Sequence, residues 1–287
     1  MRPQAEAMKA LLDQPGLYVM PGCGDGMGAR LIAEAGFKIG FVSGSSIAAM
    51  RLAMPDMDLL TFPEMADAVE TCIAAAPDVL WLADGDTGYG NALSVQKTIR
   101  AYGRRGAAAV LIEDKAWPRP LGHQGAKLVI EREAAILRAR AAVEACREEG
   151  ILLLARTDAR ISRGFDEALV RLKAFVTAGA DILFLDSPQS EAELREAVAA
   201  SAGKPSLAVC SPAGRHFMPG DAELERIGVK LVVYPQEILA ATVHAVRAAL
   251  ASLQGGPKPP MATPAELATA IRAADYVARD ARWPDPK

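Results

Sequence analysis

Cysteine is scarce in this chain: the 287 residues hold four, Cys23, Cys72, Cys146 and Cys210, and no two form a C-x-x-C pair. That spacing excludes a disulfide framework and a thiolate zinc site, and it reads as reduced, mostly buried thiols. Long apolar runs are missing too. No segment approaches the roughly 18 uninterrupted apolar residues of a membrane span, and residues 1–4 lack the basic-then-apolar plan of a secretory leader. The expected location is cytoplasmic, with no membrane partner. Nor is there an excess of one charge: the formal net charge is −3. Without runs of like charge the chain offers no field for nucleic acid or an anionic surface, and a small metabolite is the expected partner.

What is present is apolar mass and repetition. At 51% hydrophobic and 23% charged, the chain can bury a large core, as two ordinary domains or one α/β barrel. Short apolar runs recur at 17–20, 39–42, 79–83, 109–112, 151–155, 182–185, 207–210 and 231–233, each followed by a stretch of helical spacing such as 92–105, 131–148, 166–178 or 191–200. Glycine pairs such as Gly106-Ala107, Gly179-Ala180 and Gly228-Val229 precede several runs, where a helix ends and the chain re-enters a sheet. Strand–helix alternation repeated in this way demands parallel strands and predicts a (β/α)8 barrel of the TIM type. An open dinucleotide-binding sheet is the alternative. Gly24-Asp25-Gly26-Met27-Gly28-Ala29 matches only the alanine variant of that fingerprint, and the second strand ends in Ser43 rather than an acid. Residues 1–253 are read as the barrel. The Gly/Pro-rich stretch beginning at Gln254 is a linker, and 254–287 form a C-terminal helical extension, with a helix from Thr263-Pro264 to about Arg279. Such a helix packs on its own barrel or is swapped onto a neighbouring subunit.

In a barrel of this kind the chemistry sits where strands end. After the third run come Asp84 and Asp86 in Asp84-Gly85-Asp86-Thr87-Gly88-Tyr89-Gly90. Two carboxylates one residue apart, with glycines to turn the backbone, suit a hard cation, magnesium first and manganese as the alternative. An Asp-Gly turn of no further consequence is the plain reading of those seven residues alone. The other runs lead into Ser43-Gly44-Ser45-Ser46, whose N–H groups can cradle an oxyanion, then Glu113-Asp114-Lys115, Arg156-Thr157-Asp158, Asp186, Ser211 and Tyr234. Taken singly, Arg156 and Asp158 could be a rim ion pair and Glu113 a loop cap. Ionisable groups arriving from consecutive strands are harder to read as surface polarity. His123 stands in a long loop, 115–127, where it is either a surface or a substrate-binding histidine.

Three of these motifs together, Asp84 to Gly90, Ile112-Glu113-Asp114-Lys115 and Ala155-Arg156-Thr157-Asp158-Ala159-Arg160, resemble the isocitrate lyase / phosphoenolpyruvate mutase superfamily. Val42-Ser43-Gly44-Ser45 and Met54-Pro55-Asp56 fit its second-strand region, and 224–229 fit the approach to its last strand. The resemblance implies a magnesium-bearing barrel, usually a tetramer with exchanged terminal helices. It further implies that Asp84 binds the ion directly, that Asp86 and Glu113 hold its waters, that Ser43, Gly44, Ser45 and Arg156 bind the substrate's carboxylate and oxo group, and that Asp56 lies beside the reacting centre. His123 would join the catalytic and substrate-binding set.

The likeness also bears on chemistry. Isocitrate and methylisocitrate lyases carry a K-[KR]-C-G-H motif whose cysteine protonates the leaving carbanion, whereas this chain reads Arg119-Pro120-Leu121-Gly122-His123. Leu121 has no proton to give. Where those lyases place Asn and Glu, Val209 and Pro212 stand here. A pyruvate enolate tolerates that loss, since solvent can protonate it. The expected activity is therefore magnesium-dependent carbon–carbon cleavage of a small α-oxo or α-hydroxy dicarboxylate, with oxaloacetate decarboxylation foremost. The alternatives are a 2-methylisocitrate or 2,3-dimethylmalate lyase and a phosphonopyruvate mutase or hydrolase. A barrel that binds a carboxylate without turning it over is the reading from another class.

Overall fold

The computed structural model describes residues 1–118, 127–210 and 217–283. Eight strands, β1 (Tyr18–Cys23), β2 (Ile39–Val42), β3 (Leu80–Asp84), β4 (Ala109–Glu113), β5 (Leu152–Thr157), β6 (Ile182–Leu185), β7 (Ser206–Val209) and β8 (Leu231–Tyr234), close into one barrel in chain order. Every neighbouring pair is parallel, and β1 closes onto β8 with Tyr18 opposite Leu231. Helix α1 (Pro3–Leu12) precedes the barrel. Around it lie α2 (Gly26–Glu34), α3 (Gly44–Leu52), α4 (Phe62–Ala75), α5 (Ala92–Arg104), α6 (Arg132–Glu149), α7 (Ala159–Arg163), α8 (Phe165–Ala178), α9 (Glu191–Ala200), α10 (Asp221–Ile227) and α11 (Glu237–Leu253). Two short helices follow, α12 (Pro264–Ala270) and α13 (Ala273–Asp280).

Alternation along the strands divides the core in two. Inward residues such as Met20, Ile39, Phe41, Leu82, Leu111, Leu154 and Phe184 fill the barrel, and Ala5, Met8 and Leu12 of α1 pack onto the same cluster. Outward residues such as Trp81, Val110, Leu153 and Leu183 pack against the helix ring. Gly40 permits one of these contacts: a Cβ there would lie 2.4 Å from the Trp81 ring. The Gly24 to Ala29 run is a helix start, with the Asp25 side chain accepting the Gly28 N–H at 2.6 Å. All four cysteines are free thiols, three of them buried.

Two expectations are corrected. The single helix read from Thr263 to about Arg279 is two, because Arg272 adopts a left-handed φ of 55° that ends one and starts the other. Tyr234, taken as a strand-end group at the mouth, points the other way: Val233 faces the cavity, and the Tyr234 hydroxyl donates to Asp221 Oδ1 at 2.7 Å. Among the described residues no helix is long and apolar enough to cross a membrane.

Candidate active site

The ends of β3 and β4 are stitched into one acidic wall. Beyond Asp84 the chain leaves the sheet; Gly85 N–H donates to Leu111 O at 2.9 Å, and Asp86 takes a φ of 47°. That turn lets Asp86 N–H donate back to Asp84 Oδ1 at 3.1 Å, while Glu113 N–H donates to Asp86 O at 2.9 Å. From α3, Gly44 N–H reaches Asp84 Oδ2 at 3.3 Å, and the Tyr89 hydroxyl donates to Asp86 Oδ2 at 2.8 Å. Gly44 is small for a reason: a Cβ there would stand 3.1 Å from Asp84 Oδ2. Protein surrounds both carboxylates except where they meet the cavity. Burial first, and then the charge of Glu113, push the Asp84 carboxyl up to about 6. Burial, and then the Asp84 charge, likewise raise the Asp86 carboxyl well above its ordinary value.

Beside it, on the next strands, stands a mixed ionic wall. Arg156 at the end of β5 grips Asp158 with Nε and Nη2 at 2.8 and 2.7 Å, and reaches Asp186 at 3.0 Å and Glu113 at 3.3 Å. Its guanidinium lies 5.0 Å from the Phe184 ring centre. Burial opposes ionisation of Asp158, but Arg156 and then Lys127 outweigh it and hold the carboxyl well below the usual range. Lys127 Nζ sits 2.9 Å from Asp186 and 3.2 Å from Asp158. Lys115 Nζ bridges Glu113 and Asp58 at 2.9 and 3.0 Å. Burial disfavours its charge, yet Glu113 and Asp86 more than compensate and raise its pKa.

Behind this wall a buried brace holds the motifs in place. Asp114 accepts from the Thr157 hydroxyl at 2.7 Å, from Asp158 N–H at 2.9 Å and from Arg171 at 3.0 Å. Arg171 also donates to Ile130 O, and Arg138 donates to the carbonyls of Glu113 and Lys115, each at 2.9 Å.

Ser43, Ser45, Asp56, Asp84, Asp86, Glu113 and Arg156 all line one cavity of about 160 Å³ at the mouth of the barrel. The Ser43 and Ser45 hydroxyls are 3.1 Å apart, with Gly44 between them against Asp84. Asp56 is exposed on the rim. His123, together with Leu121, Ser211 and Pro212, lies outside the described residues. Sequence reasoning missed Asp58, Arg138, Arg171 and the bond from Tyr89 to Asp86. Asp58 carried one signal, an acid inside the motif that holds Asp56.

The donor set suits a hard cation. The acidic wall offers only carboxylate oxygens, and Glu113 Oε1, though ion-paired with Lys115, has no aligned hydrogen-bond donor among the described residues. Among the described residues no three His, Cys, Asp or Glu side chains converge tightly enough to enclose an ion by themselves. An ion here would take one or two carboxylates and complete its shell with water and ligand oxygens, as magnesium does.

A family profile described as phosphoenolpyruvate phosphomutase matches residues 8–254. The chain belongs to that family. Among its curated relatives, 2,3-dimethylmalate lyase of Eubacterium barkeri is 36% identical over 231 residues, covering 80% of this chain and 79% of the relative. Oxaloacetate decarboxylase of Paraburkholderia xenovorans is 37% identical over 216 residues, covering 73% and 72%. Among solved structures of similar proteins, oxaloacetate acetylhydrolase bound to the inhibitor 3,3-difluorooxaloacetate superposes with a TM-score of 0.91 at 31% identity, covering 99% of this chain and 98% of that one. Phosphonopyruvate hydrolase, solved with oxalate and magnesium, superposes with a TM-score of 0.86 at 25% identity over 98% and 99%. The eight-stranded barrel expected from the sequence is thus both the observed fold and that of the family.

Proposed function

We propose that this chain is a magnesium-dependent carbon–carbon lyase acting on a small α-oxo or α-hydroxy dicarboxylate through an enolate, with oxaloacetate decarboxylation as its foremost activity. The observation that carries the reading is the pairing of walls in one cavity: Asp84, Asp86 and Glu113 on one side, Ser43, Ser45 and Arg156 around the space they face. Asp84 would hold the ion directly, with Asp86 and Glu113 holding its waters. Bound there, magnesium supplies positive charge beside oxygens that become more negative as the carbon–carbon bond breaks.

The chain's own residues do the rest. Arg156, fixed by Asp158, offers a guanidinium edge to the substrate's oxo and carboxylate oxygens. The serine hydroxyls orient that carboxylate, and Asp56, on the rim, stands where a proton can be exchanged with solvent. His123 completes the proposed catalytic and substrate-binding set. In decarboxylation the bonding pair passes into the enolate, carbon dioxide leaves, and a solvent proton completes pyruvate, so no acid is needed at position 121. Purified protein should release pyruvate from oxaloacetate faster than magnesium alone. A rate equal to the metal-only blank would remove oxaloacetate from the reading.

One observation favours a second substrate of the same kind. Leu207, Val209 and Val233 give the cavity an apolar flank, which suits an alkyl-substituted acid of the 2,3-dimethylmalate type better than a third carboxylate. Phosphonopyruvate chemistry would show as a phosphorus NMR change on incubation. A barrel that binds magnesium and oxalate while turning nothing over would be the non-catalytic reading.

We also propose a homotetramer. Helix α11 buries none of its residues in one chain, and Val243, Val246, Leu250 and Leu253 stand exposed along it. A second copy covering α11 to α13 would bury them.

A further inference from the structure

We infer that Lys127 recognises the second carboxylate of the substrate and so selects dicarboxylates over monocarboxylates; the assignment rests on the proposed reading of the cavity. A dicarboxylate with its α-oxo end beside Asp84 and Ser43 must place its other carboxylate somewhere. The acidic wall of Asp84, Asp86 and Glu113, with Asp56 at its rim, repels it. The flank of Leu207, Val209 and Val233 offers it no donor, and a carboxylate buried without one is strongly disfavoured. Among the described residues of the lining, the cations that remain to meet it stand in the ionic wall.

Three cations line that side, and they differ in what they have left to give. Arg156 has Asp158, Asp186 and Glu113 around its Nε and Nη2, and its side chain is 16% exposed. Lys115 is clamped between Glu113 and Asp58 and is 8% exposed. Lys127 is 33% exposed and, among the described residues, has two carboxylates in reach of its three N–H donors. Asp158 and Asp186 aim the ammonium while leaving it a donor for a third acceptor.

Its backbone is equally well placed. Ala116 N–H donates to Leu128 O at 2.8 Å, Lys115 and Val129 form an antiparallel bridge, and Ile130 N–H donates to Asp114 O at 3.0 Å. Arg171, on Asp114 and Ile130 together, locks this pairing from behind. Lys127 therefore stands at the foot of a short sheet-like stem, one residue before its first paired carbonyl.

The test compares two ligands in magnesium buffer by calorimetry. Oxalate, whose two adjoining carboxylates mimic the α-oxo carboxylate of the enolate, has only the near end, and 3,3-difluorooxaloacetate adds a distal carboxylate beyond its CF2 carbon. Wild type should bind the longer ligand more tightly. Lys127→Met should weaken it at least about tenfold, the order of one charge-assisted bond, while oxalate stays within about twofold. Lys127→Arg, which keeps the charge, should restore most of the preference and so separates recognition from folding. Equal loss of both ligands in Lys127→Met, no recovery in Lys127→Arg, or no loss at all would overturn the assignment. Wild type that binds neither ligand would instead overturn the reading of the cavity, and this assignment with it.

Discussion

Arg171 Nη1 lies 3.0 Å from Asp114 Oδ2, and both side chains are 1% exposed. The pair ties α8 to the end of β4, and through Thr157 and Asp158 to the end of β5. Two motifs of the candidate site thus share one buried strut. Replacing Asp114 leaves the buried Arg171 with Glu167 as its counter-charge but with its Nη1 donor unpaired and dry, so Asp114→Asn should lower unfolding stability by roughly 2 kcal/mol. Urea denaturation measures it. A loss below about 0.5 kcal/mol, within the range of ordinary surface changes, would show that the strut carries no load.

Gly44→Ala probes the acidic wall without touching a charge. The added Cβ would meet Asp84 Oδ2 at 3.1 Å and Asp86 Oδ2 at 3.8 Å, intruding where the ion is proposed to sit. Alanine in the first turn of α3 favours the helix, so melting temperature should hold or rise slightly. Turnover should fall at least about tenfold, as expected for a displaced electrostatic group. Retained turnover would place the reacting oxygens elsewhere.

Glu167 gives a pH dependence of known sign. Its hydrogen bond from Arg132, followed by that from Arg171, holds the carboxyl down to about 2 against an ordinary 4.5. Because the folded value is the lower one, the pairing stabilises fully above about pH 4.5 and is lost as pH falls toward 2. Glu167→Gln should therefore be less stable than wild type at neutral pH by roughly 1 kcal/mol, with the gap narrowing below about pH 4.5. Urea midpoints at several pH values test this; a gap that does not change with pH would contradict it.

Magnesium should stabilise the wild-type fold. A ligand at about 100 times its Kd contributes about 2.7 kcal/mol, a rise of a few degrees in Tm. Asp84→Asn should abolish that rise and Glu113→Gln should reduce it. Equal magnesium shifts in all three proteins would move the ion away from this wall.

Much of this site was legible in the sequence because each apolar run stops where its chemistry starts. Asp84, Glu113 and Arg156 lie within the last two residues of β3, β4 and β5, so finding the strands located the residues. Ser43 follows β2 in the same way and caps α3. The brace was not legible, for a physical reason. Glu167 and Arg171 have the i, i+4 spacing of an exposed helical pair, and only the packing of α8 turns Arg171 inward. Asp58 was hidden because its contact with Lys115 depends on a left-handed turn with φ of 62°. Tyr234 failed through alternation: with Val233 facing in, its neighbour had to face out.

The most direct measurement is calorimetric titration of oxalate, an enolate mimic, into the purified protein with and without magnesium. If Asp84, Asp86 and Glu113 seat an ion that receives an enolate, oxalate binds at one site per chain only when magnesium is present, and Asp84→Ala abolishes the heat. Magnesium-independent binding, or unchanged binding in Asp84→Ala, would contradict a metal-assisted enolate site in this cavity.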